Sequence, residues 1–136
     1  MRYHPAYSLI LFSAASFFML STARAGTPET YPYSAAYQPC ITHSSNELDM
    51  LTCISDEHQK WDARLNKIWQ QTLKERQNQP AWRQAQRTWI KFRDQQCDIY
   101  NYAGNGSGDK TLGELCLLNM TIERTLQLEN PRWPAS

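Results

Sequence analysis

Apolar side chains recur at alternating steps of three and four in the middle of the chain, which is the period of one face of an α-helix. The first such stripe consists of Leu51, Ile54, His58, Trp61, Leu65 and Ile68. Ser44 and Glu47 precede it with the spacing of a capping box. We therefore predict one long amphipathic helix over residues 45–77, which needs a returning partner because isolated helices are marginal in water.

A second helix is predicted after the polar turn at residues 77–80. Pro80 suits the first position of that helix, where its missing N–H leaves no hydrogen bond unmade. The expected inward stripe is Trp82, Ala85, Trp89, Phe92, Gln96 and Tyr100. Residues 103–109, AGNGSGD, end the helix because three alternating glycines disfavour it.

A third helix is indicated by another capping-box spacing, at Thr111 and Glu114. Its apolar stripe is Leu112, Leu115, Ile122 and Leu126, and it stops at Asn130 and Pro131. We find no strand pattern and no internal repeat. The prediction is an all-α fold, a small three-helix antiparallel bundle over residues 40–130, followed by a short C-terminal tail at residues 131–136.

The residues that precede this bundle differ from it in composition and pattern. Arg2 and His4 come before an apolar run at residues 9–20, and Ala23 and Ala25 are the small residues of a cleavage site that follows Ala25, which predicts a signal peptide over residues 1–25. The run is shorter than the roughly 20 residues that a membrane-spanning helix needs. Residues 26–39 hold three prolines and three tyrosines without periodicity, and they predict an extended N-terminal arm.

Export also bears on charge and location. Cleavage after residue 25 removes two of the 14 basic side chains and none of the 13 acidic ones, so the mature chain carries 12 basic and 13 acidic groups. This balance favours neither nucleic acid nor a membrane surface as partner. No cysteine lies near the cleavage site to accept a lipid. We expect a periplasmic or secreted protein without a membrane anchor.

Four cysteines, Cys40, Cys53, Cys97 and Cys116, remain in the mature chain. An even number in a small exported chain predicts two disulfides. Cys97 and Cys116 flank the glycine-rich segment at about the same height of an antiparallel hairpin, which leaves Cys40 to pair with Cys53. The alternative pair, Cys53 with Cys97, would be out of register by about 10 Å at the helical rise per residue.

Neither a metal site nor catalysis is predicted. The cysteine spacings contain no C-x-x-C pair, and the mature chain adds only His43 and His58 as further zinc ligands. We find no nucleophile motif and no glycine-rich phosphate loop. His58 falls on the core stripe, where a packed histidine is the plainer interpretation than a general base. No cofactor is expected.

Four segments together resemble a known family. They are Met50 with Cys53, WDARLNKIW at residues 61–69, AQRTWIKFRDQQC at residues 85–97, and CLLNMTIERTLQL at residues 116–128. In this order they resemble the lysozyme inhibitor LprI N-terminal family of small exported helical proteins, over residues 40–128. The most specific run is Gln86, Trp89, Arg93, Asp94 and Cys97.

The resemblance implies a protein that acts by binding, as an inhibitor of a lysozyme, which is a glycosidase that degrades peptidoglycan. The family's namesake looks like a lipid-anchored protein, whereas this chain lacks the cysteine that would carry the lipid. The difference implies free diffusion after export.

A partly buried polar cluster is expected where the helices meet. Its members are Asp62, Asn66, Gln86, Arg93 and Arg124, with Thr121 nearby. A half-buried charge needs a partner, so the simplest role of the cluster is to fix the register of the helices. The alternative is that these groups recognise a ligand.

Charge separates along the predicted hairpins. The end near the glycine-rich segment gathers Glu47, Asp49, Asp56, Glu57, Asp94, Asp98, Asp109 and Glu114. The opposite corner gathers Lys67, Lys74, Arg76, Arg83, Arg87 and Lys91. Acids early in a helix also suit its dipole, so part of this pattern requires no partner.

The acidic end is the predicted partner-binding region. Many lysozymes are cationic, so acids would speed the encounter, and a loop tied by a disulfide could enter the sugar-binding cleft at little ordering cost. The candidate contact residues are Asp98, Asn105, Ser107, Asp109 and Lys110. A rival hypothesis uses the basic corner with Trp82 to contact anionic cell wall or an acidic toxin, as an immunity or wall-associated protein would.

Overall fold

The computed structural model describes residues 30–102 and 108–131. Within these ranges the chain is entirely helical, without strands. The elements are α1, Tyr37–His43; α2, Glu47–Glu75; α3, Gln79–Asp98; a 3₁₀ turn, Ile99–Tyr102; and α4, Gly108–Glu129. The predicted signal peptide and most of the C-terminal tail lie outside the described residues.

The all-α class is confirmed, but the predicted number of helices is too small. The described residues contain four α-helices, because α1 forms where the sequence predicted the end of an extended arm. Pro39 lies in the first turn of α1, where a helix tolerates proline. Tyr37 is buried there, so tertiary packing holds this two-turn helix in place although its sequence carries no apolar repeat.

The ends of the long helices follow local hydrogen bonds. Asn46, rather than Ser44, caps α2 by accepting a bond from the Asp49 backbone N–H at 2.9 Å. Pro80 is the second residue of α3, one position after the predicted one and still in the first turn, which tolerates proline. The turn before it passes through Asn78, whose φ of 54° is in the left-handed region that asparagine tolerates.

The third predicted helix begins earlier than its sequence pattern indicates. Helix α4 starts at Gly108, three residues before the proposed cap at Thr111. The Thr111 hydroxyl instead donates to Glu47 Oε1 at 3.1 Å and so connects the first turns of α4 and α2. The capping-box interpretation was therefore wrong at this position, because the hydroxyl serves a tertiary contact.

The core lies between the arm, α1, α2 and α4. Its buried side chains are Tyr37, Ile54, Trp61, Leu118 and Ile122. The arm closes it from one side, where the Tyr33 hydroxyl donates to Asn119 at 2.7 Å. At the far end Arg64 makes two bonds of 2.7 Å to Glu129, which ties α2 to α4. Helices α2 and α4 thus form the main helix pair.

Helix α3 is peripheral, which corrects the expected inward stripe. It packs mainly on α4, and its buried side chains are Gln86 and Cys97. Phe92, expected to face inward, is 55% exposed, and Ala85 and Tyr100 are also exposed. The reason is that the long apolar faces of α2 and α4 cover one another and leave α3 only one edge of α4.

Two disulfides link the elements in the predicted pairing. Cys40 of α1 is bonded to Cys53 of α2, with Cα atoms 5.8 Å apart. Cys97 of α3 is bonded to Cys116 of α4, with Cα atoms 5.4 Å apart. The second bond joins the last turn of α3 to α4 and so closes the base of the intervening segment.

Candidate functional site

One end of the fold, here called the tip, consists of the first turns of α2 and α4 and the 3₁₀ turn. It exposes five large apolar side chains: Leu48, Met50, Ile99, Tyr100 and Leu112. Met50 and Leu112 share a shallow pocket that Glu47 and Thr111 complete. Exposed apolar side chains gathered in one region mark interaction surfaces more often than isolated ones do.

Acidic groups surround these apolar side chains. Asp49 and Asp98 are exposed, and Glu47 is partly exposed. Asp98 accepts a bond from the Asn101 amide at 3.2 Å, which fixes the 3₁₀ turn against the end of α3. Carboxylates near the first turn of α2 also suit the dipole of that helix. The tip therefore combines apolar contact area with negative charge.

The five predicted partner-contact residues are placed differently from one another. Asp98 and Lys110 are exposed at the tip, whereas Asp109 is buried in the first turn of α4. Asn105 and Ser107 lie outside the described residues. The structure therefore brings Asp98 and Lys110 to one end of the molecule and turns Asp109 inward.

The predicted polar cluster is divided into separate contacts. Arg124 Nε donates to Gln86 Oε1 at 2.9 Å, which joins α4 to α3. Arg93 Nη1 donates to the Thr121 hydroxyl at 3.3 Å and stacks on Trp89 with 5.2 Å from guanidinium carbon to ring centroid. Both contacts link α3 to α4.

The α2 members of the predicted cluster stand apart from it. Asn66 donates to Asp62 at 3.0 Å within the same helix, and Asn66 is exposed. Because α3 packs on α4 and not along α2, these two side chains have no cationic partner from α3 among the ion pairs of the described ranges. Their bond is a local one between residues four apart.

His58 joins a chain of polar contacts that the sequence pattern did not indicate. Its Nδ1 lies 2.7 Å from Glu114 Oε1, and its Nε2 lies 3.3 Å from the Thr121 hydroxyl. Thr121 in turn accepts from Arg93. The contacts connect α2, α4 and α3 through one fully buried threonine. Their spacing of 56 and 63 residues along the chain gives no local signal.

Glu57 is a buried carboxylate rather than part of the acidic surface. It is 1% exposed and accepts bonds from the Ser34 N–H and hydroxyl, both at 2.6 Å, and from Trp61 Nε1 at 3.1 Å. Burial raises its pKa, but the bonds from Ser34 and Lys60 outweigh burial and hold the pKa below its ordinary value. The prediction that Glu57 adds to the acidic end was therefore wrong.

Within the described ranges, no group of three or more histidine, cysteine or carboxylate side chains is arranged to hold a metal ion. In the same ranges, none of the helices is both long and apolar enough to cross a membrane.

Comparisons with known proteins identify the family of this chain. The model of the family described as lysozyme inhibitor LprI matches residues 40–128. An uncharacterised protein of Rhizobium meliloti (strain 1021) is 28% identical over 141 residues, which covers 92% of this chain and 91% of the relative. No solved structure matches the chain. The matched span runs from the first disulfide cysteine to the end of α4, and the chain belongs to the LprI family of lysozyme inhibitors.

Proposed function

We propose that this protein inhibits a lysozyme-type glycosidase by placing its tip over the substrate cleft of the enzyme. The family is described as an inhibitor of lysozyme, not as an enzyme. The observation that carries the proposal is the tip itself, where exposed Leu48, Met50 and Leu112 lie beside acidic Glu47 and Asp49. Two disulfides suit the oxidising compartments outside the cytoplasm, and we place the mature protein in the periplasm or outside the cell.

Charge complementarity favours a cationic enzyme as partner. Many lysozymes carry net positive charge, and acids around a contact surface accelerate the encounter of oppositely charged proteins. The apolar side chains of the tip then supply area that leaves water on binding, at about 25 cal/mol per Å². Leu48 contributes most, because it is 70% exposed in the free protein.

The tip is held before the partner arrives. The Cys97–Cys116 bond closes its base, and the Thr111–Glu47 bond links its two helices. A surface that is already ordered loses less conformational entropy on binding than a flexible one. Rigid placement therefore converts more of the contact energy into affinity.

Lys110 has a specific role in this proposal. It is exposed in the first turn of α4, beside the segment that contains Asn105 and Ser107. Glycoside hydrolases use a pair of carboxylates on either side of the scissile bond. An ammonium group inserted near that pair would compete with substrate, and the amide and hydroxyl of Asn105 and Ser107 would replace sugar hydrogen bonds.

The first test compares paired surface variants of the mature protein in a cell-wall lysis assay with lysozymes of several types. Leu112→Ser and Asp98→Asn should each weaken inhibition. For Leu112→Ser, which removes an apolar contact at the proposed interface, we expect about a tenfold loss. The matched controls are Ile90→Ser and Glu75→Gln, exposed residues away from the tip. Equal effects of tip and control variants would exclude the tip as the contact surface.

A second test addresses the segment between α3 and α4. Residues 105–110 are replaced by a neutral glycine-serine linker of equal length, with the Cys97–Cys116 bond kept. Inhibition should be abolished while the far-ultraviolet circular dichroism stays helical. Full potency of this variant would show that the segment makes no contact with the enzyme.

A further inference from the structure

A groove of about 790 Å³ lies at the end of the helices opposite the tip. It is bounded by the last turn of α2, the first half of α3 and the second half of α4. Its walls include two tryptophans, Trp82 and Trp89, and two arginines, Arg76 and Arg124. Its size falls within the range of small-molecule binding sites. The lysozyme-inhibitor proposal makes no use of this surface.

Each arginine of the groove is stacked on one of its tryptophans. The guanidinium carbon of Arg76 lies 5.9 Å from the centroid of Trp82, and that of Arg124 lies 5.7 Å from the centroid of Trp89. A guanidinium stacked on an aromatic ring is held in orientation, and the N–H groups at its edge can still bind a planar carboxylate. The groove therefore presents oriented donors for an anion.

In the described part of the chain, Arg124 makes no ion pair with a carboxylate. Its hydrogen bonds go to the neutral amide oxygens of Gln86, at 2.9 Å, and Gln127, at 2.6 Å. Among the ion pairs of the described residues, none includes Arg124 or Arg76. Burial lowers the pKa of Arg124, which reflects the cost of keeping this cation partly out of water. An anion in the groove would offset that cost.

The remaining groups of the groove favour a ligand with many hydroxyl groups. Thr72, Gln127 and Asn130 add uncharged donors and acceptors to its lining. Glu123, the carboxylate of the lining, accepts a bond from the Tyr31 hydroxyl at 2.5 Å. Flat indole rings beside amides suit a pyranose ring, because the C–H groups on one face of the sugar pack on the ring while its hydroxyls bond the amides.

We propose that this groove binds an acidic saccharide, a chain of pyranose rings that carry carboxylate groups. The carboxylate pairs with Arg76 or Arg124, and a neighbouring ring packs on Trp82. Exposed Arg83 on α3 extends the positive field beside the groove, so a longer acidic chain is attracted to the same face. The binding is independent of lysozyme inhibition, since the groove and the tip lie at opposite ends.

The test measures binding of two matched tetrasaccharides to the mature protein by calorimetry and tryptophan fluorescence. One alternates N-acetylglucosamine with N-acetylmuramic acid, and the other is all N-acetylglucosamine, which has the same linked rings without carboxylates. The acidic saccharide should bind about tenfold or more tightly than the neutral one, as expected for a charge-assisted contact.

Three variants locate the site. Arg76→Gln should reduce affinity for the acidic saccharide about tenfold and leave the weak neutral binding unchanged. Arg124→Lys keeps the charge but loses the two parallel N–H donors of a guanidinium. Its affinity for the acidic saccharide should also be lower than that of the unchanged protein. Arg87→Gln removes an equal charge from α3 outside the groove, and it should change affinity less than twofold. Inhibition of lysozyme by Arg76→Gln should equal that of the unchanged protein.

Several results would overturn the proposal. They are absence of saturable binding at millimolar saccharide, equal affinity for the two saccharides, and an Arg87→Gln effect as large as that of Arg76→Gln. Tighter binding of a glycerol-phosphate oligomer than of the acidic saccharide would also reject it in favour of phosphate recognition. Because Arg76 is at the surface end of α2, its substitution tests the groove without threatening the fold.

Discussion

Replacing Glu57 by glutamine removes the charge from a carboxylate that the fold buries while changing its shape very little. In the folded protein this carboxylate accepts four hydrogen bonds, from the Ser34 N–H, the Ser34 hydroxyl, Trp61 and Lys60, at 2.6, 2.6, 3.1 and 3.3 Å. The two bonds from Ser34 hold the arm on α2. A glutamine side chain has one acceptor oxygen, and its NH₂ group must face donors.

The size of the loss follows from that geometry. If the remaining carbonyl keeps about half of the bonds, two charge-assisted bonds of about 1.5 kcal/mol each disappear, so Glu57→Gln should cost about 3 kcal/mol. In a domain of about 100 residues, 1 kcal/mol changes Tm by roughly 4 to 8 °C. We therefore expect Tm to fall by about 12 to 24 °C at pH 7. Glu75→Gln, at an exposed position of the same helix, is the control and should change Tm by less than about 3 °C.

The dependence on pH gives an independent check. Burial raises the pKa of Glu57, but the bonds from Ser34 and Lys60 outweigh burial, so the folded-state pKa is depressed. A carboxyl of this kind stabilises the fold fully above its unfolded pKa of about 4.3, and the stabilisation is lost as pH falls through the folded-state pKa. The Tm difference between the unchanged protein and Glu57→Gln should therefore shrink between pH 5 and pH 3.

The assay is thermal unfolding followed by circular dichroism at 222 nm, from pH 7 to pH 3, with both disulfides intact. A Tm of Glu57→Gln within a few degrees of Glu75→Gln at pH 7 would refute the stabilising role of the buried carboxylate. A Tm difference that stays constant down to pH 3 would show instead that shape, and not charge, accounts for the loss.

Further predictions concern the contacts of α4. Replacing Cys97 and Cys116 by serine should cost about 2 to 4 kcal/mol and abolish inhibition, measured by urea unfolding and wall lysis. Arg93→Ala should lower Tm by several degrees, since it removes a bond to Thr121, and unchanged stability with lost binding would contradict a structural role. Thr121→Val keeps the shape but breaks the contacts with His58 and Arg93, and it should cost about 1 to 3 kcal/mol by urea unfolding; a change under about 0.5 kcal/mol would contradict the polar connection.

The main helices and the disulfides were predictable because their signals are local. The apolar stripe around Ile54 and Trp61 repeats with the helical period, and Pro80 and the glycines mark the breaks between helices. Cys97 and Cys116 are equally far from a turn, so antiparallel packing alone brings them together. The same pattern gave helix ends only approximately, since Asn46 caps α2 in place of Ser44.

The candidate site was less predictable. Acidic residues such as Asp98 stand out in the sequence, but the apolar part of the tip does not, because Leu48 lies three residues before Leu51 and so continues a stripe expected in the core, whereas Ile99 belongs to no stripe. Their exposure depends on where the 3₁₀ turn and the first turn of α2 end in space. The groove opposite the tip is likewise lined by residues of three helices, and these residues are far apart along the chain.

Local sequence signals were enough to predict that this protein is helical, where its principal helices run and which cysteines pair. Each of these depends on the chemistry of residues within a few turns of one another. The burial of Glu57, the exposure of Phe92 and the packing of α3 along one edge of α4 became visible when the packed helices were seen together. The helical period shows which face of a helix is apolar, but the element that covers that face is selected by competition between distant segments for the same buried area.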